Sequence, residues 1–268
     1  MGAGIEQRHQ RCASWWEPHL RCSREFIRTS LRPCRRVAVL GAGRLLDVDI
    51  EMLLAHSQEV HLFDADSGCL FHWRARLGPR LGGRAFAHIE DITGSLKRWE
   101  GILRASRRRG DLAECLRGLR AVRPAWSKAE FCSIVSLNLL GQIPLYWRDF
   151  VQASRGRLSG DDEEALAASM GELQRAHLEA LFSSGAGQLV MLFDSEYYRY
   201  RSSESEWRVE PALFGPAAMN CLSAPPQFCE LARESWLWHL APQFVEQESE
   251  GEIHRVEARA WLRKAGSR

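Results

Sequence analysis

The 268-residue sequence predicts an α/β fold with a doubly wound, mostly parallel sheet. Short apolar runs typical of buried parallel strands recur along the chain, and helical patterns separate them. The first run also ends directly in Gly41-Ala42-Gly43, as expected of a strand that enters a tight turn. A chain of this length, with 45% hydrophobic residues, can bury one large core.

The first half of the chain is typical of a β-α-β unit followed by a third strand. The predicted strands are VAVL (37–40), EVHLF (59–63) and one within GRAFAHIED (83–91). Between the first two, Asp47 or Asp49 can cap a helix through IEMLLAHS. After the third strand, the chain up to about residue 128 is typical of one or two arginine-rich helices.

The second half continues the alternation and closes with antiparallel strands. The predicted strands are one within FCSIVSLNLL (131–140), QLVMLFD (188–194), SWLWHLA (235–241) and IHRVEARAWLRK (253–264). A helix begins with the acids that follow Gly160, and Gly185 or Gly187 ends it. His177 lies on the apolar stripe of this helix, which predicts a buried core histidine.

Charge is distributed unevenly along the chain. The net charge is +2, but residues 1–36 carry eight arginines against three acids. Residues 97–128 carry ten Lys or Arg against three acids. These basic segments permit an anionic partner such as RNA, although arginine-rich helix faces are also common in proteins that bind no nucleic acid.

The composition indicates a cytoplasmic protein. No run of about 18 apolar residues occurs, and the charged N-terminus lacks the apolar segment of a signal peptide. The eight cysteines are scattered through a chain that can build its own core. We therefore expect no membrane-spanning helix, and reduced thiols rather than disulfides.

Glycines and polar residues follow the predicted parallel strands. Ligands of doubly wound sheets bind at the carboxyl ends of the strands, so the candidate site comprises Gly41–Gly43, Asp64, Asp91 and Asn138. The two glycines let the backbone approach a ligand closely. Asp64, 21 residues after Gly43, can accept hydrogen bonds from a ribose. The pattern favours an adenosine-containing cofactor.

In these motifs and in the order of its elements, the chain resembles the Rossmann-like S-adenosylmethionine-dependent methyltransferases over roughly residues 35–264. The motifs are VAVLGAG, the acid in VHLFDAD, the Asp in HIEDIT, the SIVSLNLL strand end, and GAGQLVMLFD with a late strand pair. The resemblance implies a seven-stranded sheet of the methyltransferase type and S-adenosylmethionine as cofactor. It also implies the cofactor-binding positions: Gly41, Ala42 and Gly43 at the methionine moiety, Asp64 and Ala65 at the ribose, Asp91 and Ile92 at the adenine, and Ser136, Leu137 and Asn138 beside the sulfonium and the substrate.

By this resemblance the protein transfers a methyl group to a small molecule or a protein. Methyl transfer from a sulfonium is a displacement that requires positioning more than a catalytic triad. Asn138 is the candidate positioning residue at the reaction centre. Gln142 can contribute a hydrogen bond to the substrate, or it can satisfy loop backbone instead.

Two departures from the family pattern keep alternatives open. Members often carry an acid two residues before the first motif glycine and a third glycine later in the motif, whereas this chain has Val39 and Leu45. A non-catalytic scaffold or cofactor-binding domain is therefore one alternative, and RNA methylation with Arg107–Arg109 on the phosphates is another. A nicotinamide cofactor is disfavoured because Leu46 occupies the last position of a GxGxxG motif.

The stretch RHQRCASWWEPHLRC (8–22) repeats His-x-x-Cys twice. At helical spacing these residues share one face and span about 20 Å, which is too far for one tetrahedral metal site. We expect no metal, and Pro18 should kink the helix or start a second one. By the resemblance, residues 1–34 form a helical lid with Trp15, Trp16 and His19 at the substrate pocket. A face that only buries Trp and Cys is the alternative. Residues 35–268 then form the main domain, with residues 97–128 as a helical insertion.

Overall fold

The computed structural model of the protein describes residues 2–106, 112–203, 207–214, 222–246 and 248–266, with side chains from residue 6 onwards. The helices are α1 (Gly2–Ser30), α2 (Ile50–His56), α3 (Cys69–Leu77), α4 (Leu96–Ser106), α5 (Leu112–Arg117), α6 (Leu139–Arg155) and α7 (Gly160–Phe182). The strands are β1 (Cys34–Leu40), β2 (Ser57–Asp64), β3 (Ala85–Ile89), β4 (Ser133–Leu137), β5 (Gln188–Tyr200), β6 (Arg208–Pro211), β7 (Phe228–Ala241) and β8 (Gly251–Arg263).

The strands form one sheet in the order β3-β2-β1-β4-β5-β8-β7, with the short β6 paired to β5 outside this path. In the sheet, β3, β2, β1, β4 and β5 pair in this order as parallel neighbours. β8 runs antiparallel to both β5 and β7. The strand order reverses between β1 and β4, which is the point where doubly wound sheets bind ligands. The predicted Rossmann-like fold of the methyltransferase type, with a late antiparallel strand pair at the sheet end, is confirmed.

Buried side chains cover both faces of the sheet. Alternate residues of β4 point to opposite sides, so Ile134 joins the core beneath α4 to α7 while Val135 joins the core beneath α2 and α3. The buried middles of β1 and β4 read as continuous apolar runs because both of their faces are covered. These runs were the strongest strand signals in the sequence.

The sequence interpretation missed α3 and α6. It placed the fourth strand within residues 131–140 and predicted no helix there, whereas the chain turns at Asn138 in a left-handed conformation (φ 54°) and α6 begins at Leu139. The first turn of α6 is itself buried, so the apolar run continues without a break from strand into helix. Such a run does not distinguish a buried strand from a buried helix.

The predicted helix from Gly160 is confirmed as α7. Ser159 and Asp162 form a reciprocal capping box at its start. His177 is buried as predicted, and its Nε2 shares a hydrogen bond of 2.9 Å with Ser136 Oγ. Desolvation lowers the pKa of this histidine to about 4, so the ring is neutral.

The N-terminal segment forms α1, two helical stretches that meet at a kink, and it packs against the sheet through β7. Its backbone departs from helical angles at Cys12 rather than at the predicted position Pro18. Pro18 and Ser14, four residues earlier, are both exposed, so water can bond the carbonyl that the proline leaves without a donor. No helix within the described residues is long and apolar enough to span a membrane.

Candidate functional site

The loop after β1 follows a left-handed course at three positions. Gly41 has φ 72°, Gly43 has φ 49°, and Leu45 has φ 59°. A Cβ on Gly41 would lie 2.7 Å from the carbonyl oxygen of Leu137, so the β1 and β4 ends approach closely only with glycine there. Among the described residues, only the Gly41 carbonyl would lie within 4 Å of a Cβ on Gly43, at 3.9 Å, so this part of the structure leaves the space beside Gly43 open.

Leu45 stands where the family resemblance implies a third glycine. Its backbone keeps the left-handed conformation that glycine adopts without strain, and its side chain is fully buried. Val39, at the position of the implied acid, is likewise buried in the core. Val39 and Leu45 therefore both pack in the core, and the backbone at Leu45 keeps the left-handed conformation typical of glycine.

Asp64 anchors this loop from the end of β2. Its Oδ2 accepts a hydrogen bond from the Gly43 N–H at 2.8 Å, and its Oδ1 accepts one from the Asp66 N–H at 2.9 Å. Burial raises the pKa of this carboxyl against the opposing effect of those N–H groups. Ala65, next along the chain, is exposed. The structure thus brings the predicted carboxylate and the glycine loop into direct contact.

Asp91 and Ile92 follow β3 and are engaged locally. Asp91 Oδ1 accepts hydrogen bonds from the N–H and hydroxyl of Thr93, at 3.0 and 2.7 Å. Its Oδ2 accepts one from the Lys97 N–H at 3.0 Å. Ile92 is buried in the core, and its carbonyl accepts a hydrogen bond from the indole of Trp126. The Ile92 side chain faces the interior, so the main chain of Ile92 is the part that could contact an adenine.

The end of β4 contributes three predicted residues with different environments. Ser136 is turned into the core toward His177, and Leu137 is buried in the opposite core. Asn138 is also buried, and its Oδ1 has no hydrogen-bond partner among the described residues. Gln142, one turn further on in α6, is exposed. Of these, Asn138 has a buried polar atom that the fold does not satisfy.

A buried polar cluster formed by the middle of β5 and the start of β8 was missed by the sequence interpretation. Nδ1 of His254 lies 3.2 Å from Asp194 Oδ2, and Nε2 lies 3.0 Å from Glu252 Oε1. The Tyr197 ring packs on the same histidine, with 4.5 Å between ring centroids. We call Asp194, Tyr197, Glu252 and His254 the β5–β8 cluster. Asp194 ends the apolar run of β5 as Asp64 ends that of β2, and this parallel was the available sequence signal.

The electrostatics of the β5–β8 cluster fix the charge of its members. Burial by itself lowers the pKa of His254, but Asp194 and Glu252 outweigh it and raise this pKa to about 9. The hydrogen bond from His254 lowers the pKa of Glu252. Burial and the nearby Asp194 raise the pKa of Tyr197. At neutral pH His254 is therefore an imidazolium beside an ionised Glu252, and Tyr197 is a neutral phenol.

The predicted lid residues lie along α1 beside β7 and the loop after β1. His19 Nδ1 accepts a hydrogen bond from the Trp236 indole at 2.9 Å, so its Nε2–H donates to Asp47 Oδ1 at 2.9 Å. Trp16 is buried and donates to the Leu240 carbonyl. Trp15 is half-exposed beside His239. Thus Trp16 and His19 join α1 to the sheet.

Trp238 links α1 to the β5–β8 cluster. Its indole stacks on His19 at 4.1 Å and meets the His254 ring edge-on at 5.6 Å. A continuous row of rings therefore runs from the N-terminal helix to the buried imidazolium. The Trp238 Nε1–H in this row is buried without a hydrogen-bond partner among the described residues.

The basic segment 97–128 uses several of its arginines within the protein. The bonded side chains in its described part are Arg104 with Glu100, Arg117 with Asp161, Arg120 with the Arg117 and Leu119 carbonyls, and Arg123 with Ser127. Arg107–Arg109, the predicted phosphate contacts, lie outside the described residues. The carboxylates reduce the charge that Arg104 and Arg117 offer to an external polyanion, whereas the neutral acceptors of Arg120 and Arg123 hold these side chains in place without balancing their charge.

Across the described ranges, no group of three or more His, Cys, Asp or Glu side chains is arranged to hold a metal ion. Of the repeated His and Cys residues of α1, Cys12 is buried and free, and Cys22 is free. His9 packs against Trp16 with 5.5 Å between ring centroids. The shared face of α1 therefore packs aromatic and thiol groups.

Comparison with known proteins gives similarity in structure only. No protein-family model matches the sequence, and no curated protein matches it. An rRNA methylase from Streptococcus thermophilus is 10% identical, over 91% of this chain and 95% of that one, with a TM-score of 0.38. A magnesium protoporphyrin IX methyltransferase from Synechocystis, solved with bound S-adenosylmethionine, is 10% identical over 89% and 74%, with a TM-score of 0.37.

A third similar structure comes from a broader group. A protein of the NADB-Rossmann superfamily from Streptococcus agalactiae is 9% identical over 91% of this chain and 68% of that one, with a TM-score of 0.41. At these identities the likeness concerns the fold. The strand order and the reversed β8 carry the fold assignment by themselves.

Proposed function

We propose that this chain is an S-adenosylmethionine-dependent methyltransferase that acts on a small molecule or a protein. The observation that carries the proposal is the contact between Asp64 and the Gly43 N–H at the reversal of strand order, in a sheet with the reversed β8. A carboxylate held against a glycine loop is suited to a ligand that combines a ribose with a polar, charged end.

The residues around the glycine loop fit this cofactor. The space beside Gly43 is open, and each Asp64 oxygen keeps a lone pair beyond the one that its N–H partner uses. Asp64 would hold the ribose hydroxyls, and Gly41–Gly43 would face the methionine moiety. When bound, the cofactor supplies a methyl group activated by a sulfonium. The buried Oδ1 of Asn138 would accept a hydrogen bond from a bound ligand and so orient it.

The other predicted cofactor positions have side chains that are bonded within the protein, buried, or at the edge of the site. Asp91 already satisfies its own turn, and Ser136 bonds to His177 in the core. Ala65 is exposed beside Asp64, where it can border the ribose. Because Ile92 and Leu137 are buried, their main-chain groups are the parts that would reach the adenine and the sulfonium.

We further propose that residues 1–34 act as a lid on the main domain, residues 35–268. The lid is supported by the bonds of α1 to the loop after β1, namely His19 to Asp47 and Arg24 to the Leu46 carbonyl. It is also supported by the row of rings to His254. Trp15 and Gln142, which are accessible, would border the entrance for the substrate.

The test is calorimetric titration of the full chain with S-adenosylmethionine and S-adenosylhomocysteine, repeated on Asp64→Asn. Asparagine keeps one acceptor oxygen for the loop but removes the charge, so we expect affinity to fall at least tenfold while the protein stays folded. Asp66→Asn is the matched control, because Asp66 caps its own turn at the Gly68 N–H. Absence of binding by the folded wild-type chain would favour the non-catalytic scaffold instead.

A further inference from the structure

The middle of β5 and the residue after β4 carry buried polar atoms that have no hydrogen-bond partner among the described residues. Asn138, Asp194 and Tyr197 are 4%, 1% and 5% exposed. Within the described part of the chain, Asn138 Oδ1, Asp194 Oδ1 and the Tyr197 hydroxyl have no hydrogen-bond partner. His254 Nδ1 also has none, although it lies 3.2 Å from Asp194 Oδ2. Buried polar groups are nearly always paired because an unpaired one costs free energy, so the three oxygens call for a donor from outside the fold.

These atoms lie around the first turn of α6. A Cβ on Gly141 would come within 2.9 Å of the Tyr197 hydroxyl and 3.2 Å of Asp194 Oδ2. Asn138 lies directly before α6, and its N–H donates to the carbonyl of Leu192, two residues before Asp194. The absence of a side chain at Gly141 therefore lets Asp194 and Tyr197 of β5 approach the turn that carries Asn138.

The β5–β8 cluster has an excess of negative charge. Asp194 and Glu252 flank a single cation, His254. Arg8 and Arg199 act electrostatically on Glu252, and Arg148 acts on Tyr197. Each of these arginines is also paired with a carboxylate outside the cluster: Arg8 with Glu246, Arg148 with Asp149, and Arg199 with Glu210. A second cation would balance the carboxylates, whereas an anion would be repelled.

We propose that the β5–β8 cluster, together with Asn138, binds an organic ammonium group, namely the amino group of the substrate. An ammonium presents three N–H donors and no acceptor, which matches the unpaired oxygens of Asp194, Asn138 and Tyr197. The assignment to the substrate rests on the proposed methyltransferase function.

Position in the sheet favours the substrate over the cofactor as the source of the ammonium. β4 separates β1 from β5, so Gly41, directly after β1, and Asp194, two residues beyond the last β5 residue paired with β4, lie roughly 10 Å apart at the usual strand spacing. The cofactor's own amino group would have to bridge that distance from the glycine loop. A divalent metal is a poorer occupant, because both ring nitrogens of His254 already face carboxylates.

The experiment measures the thermal transition of the full chain with methylammonium, methanol or formate at constant ionic strength. We expect methylammonium alone to raise Tm, by about 3 °C at tenfold excess over its Kd. An equal shift with methanol or formate would overturn the proposal, and so would no shift with methylammonium.

Variants locate the effect. Asp194→Asn keeps the shape of the side chain and should reduce the methylammonium affinity at least tenfold, whereas Asp161→Asn, which changes an exposed carboxylate on α7, should leave it unchanged. Tyr197→Phe removes one unpaired hydroxyl without changing charge, so it tests the site if Asp194→Asn does not fold. Unchanged affinity in Tyr197→Phe and any folded Asp194→Asn would overturn the assignment.

A parallel titration with S-adenosylhomocysteine separates this inference from the proposed function. If the two ligands bind together, the ammonium site belongs to the substrate, as proposed. If S-adenosylhomocysteine displaces methylammonium, the site binds the cofactor's amino group, and the assignment to the substrate is overturned. If methylammonium binds and S-adenosylhomocysteine does not, the ammonium site stands and the methyltransferase function fails. If S-adenosylhomocysteine binds and methylammonium does not, the methyltransferase function stands and the ammonium site is rejected.

Discussion

The carboxyl edge of the sheet has two halves, one after β1 and β2 and one at the β5–β8 cluster. Their carboxylates lie in different environments. At the β1–β2 half, Asp64 bonds to the backbone of its own and the neighbouring loop. At the β5–β8 half, Asp194 faces a buried imidazolium and keeps one oxygen without a partner in the described chain. In the first half, backbone N–H groups already bond the carboxylate. The second half is a charged cluster whose groups depend on other side chains and, as proposed, on a ligand.

The largest expected difference between the halves is in stability. Asp194→Ala leaves the buried His254 with one carboxylate instead of two, and breaking a buried ion pair costs about 3–5 kcal/mol of unfolding free energy. Asp161→Ala, an exposed partner of Arg117, should cost less than about 1 kcal/mol. Urea unfolding of both variants checks this. A loss below about 1 kcal/mol for Asp194→Ala would mean that the cluster is not electrostatically coupled.

The buried histidines His254 and His177 should each make the unfolding free energy depend on pH, His254 on the alkaline side and His177 on the acid side. The pKa of His254 is raised from 6.5 to about 9, so its contribution is complete below pH 6.5 and is lost as pH rises through 9. The pKa of His177 is lowered from 6.5 to about 4, so stability is lost as pH falls from 6.5 toward 4. Each effect is on the order of 3 kcal/mol.

Urea midpoints between pH 5 and pH 9.5 test these two limits. His254→Gln should flatten the alkaline limb of the stability curve and leave the acid limb in place. His177→Gln should do the reverse. An alkaline limb that persists in His254→Gln would assign the effect to another group.

Leu45 should show an unusual order of substitution effects. Leu45→Ala removes buried contacts, at about 2–5 kcal/mol, and keeps a side chain at positive φ. Leu45→Gly loses similar contacts but relieves the backbone, so it should be less destabilising than Leu45→Ala by about 1 kcal/mol. Leu53, equally buried in the middle of α2, is the control, where glycine should be the worse substitution. The same order at both positions would show that the loop is not strained at Leu45.

The smallest effect is expected at Asp64. Burial already disfavours its charge, and asparagine keeps an acceptor for the Gly43 N–H, so Asp64→Asn should change the unfolding free energy by less than about 1 kcal/mol. Chemical unfolding compared with Asp194→Asn checks this. Equal losses in the two variants would remove the distinction between the halves.

Most of the fold could be predicted because its signals are local. The apolar runs at β1, β4 and β5 and the glycines after β1 follow from the demands of buried parallel strands and tight turns. The helix α6 could not be predicted in the same way, since its first turn is as apolar as the strand before it. Where strand changes to helix depends on the left-handed turn at Asn138, which the apolar pattern does not reveal.

The sequence by itself determined that Gly41–Gly43, Asp64 and Asn138 follow buried strands and therefore gather at one edge of the sheet. Tertiary structure decided which of these groups are already satisfied, and it brought Asp194 to His254 through the pairing of β5 with β8. The physical reason is that strand formation follows local hydrophobic pattern, whereas the partner of a buried charge depends on which distant strand lies beside it.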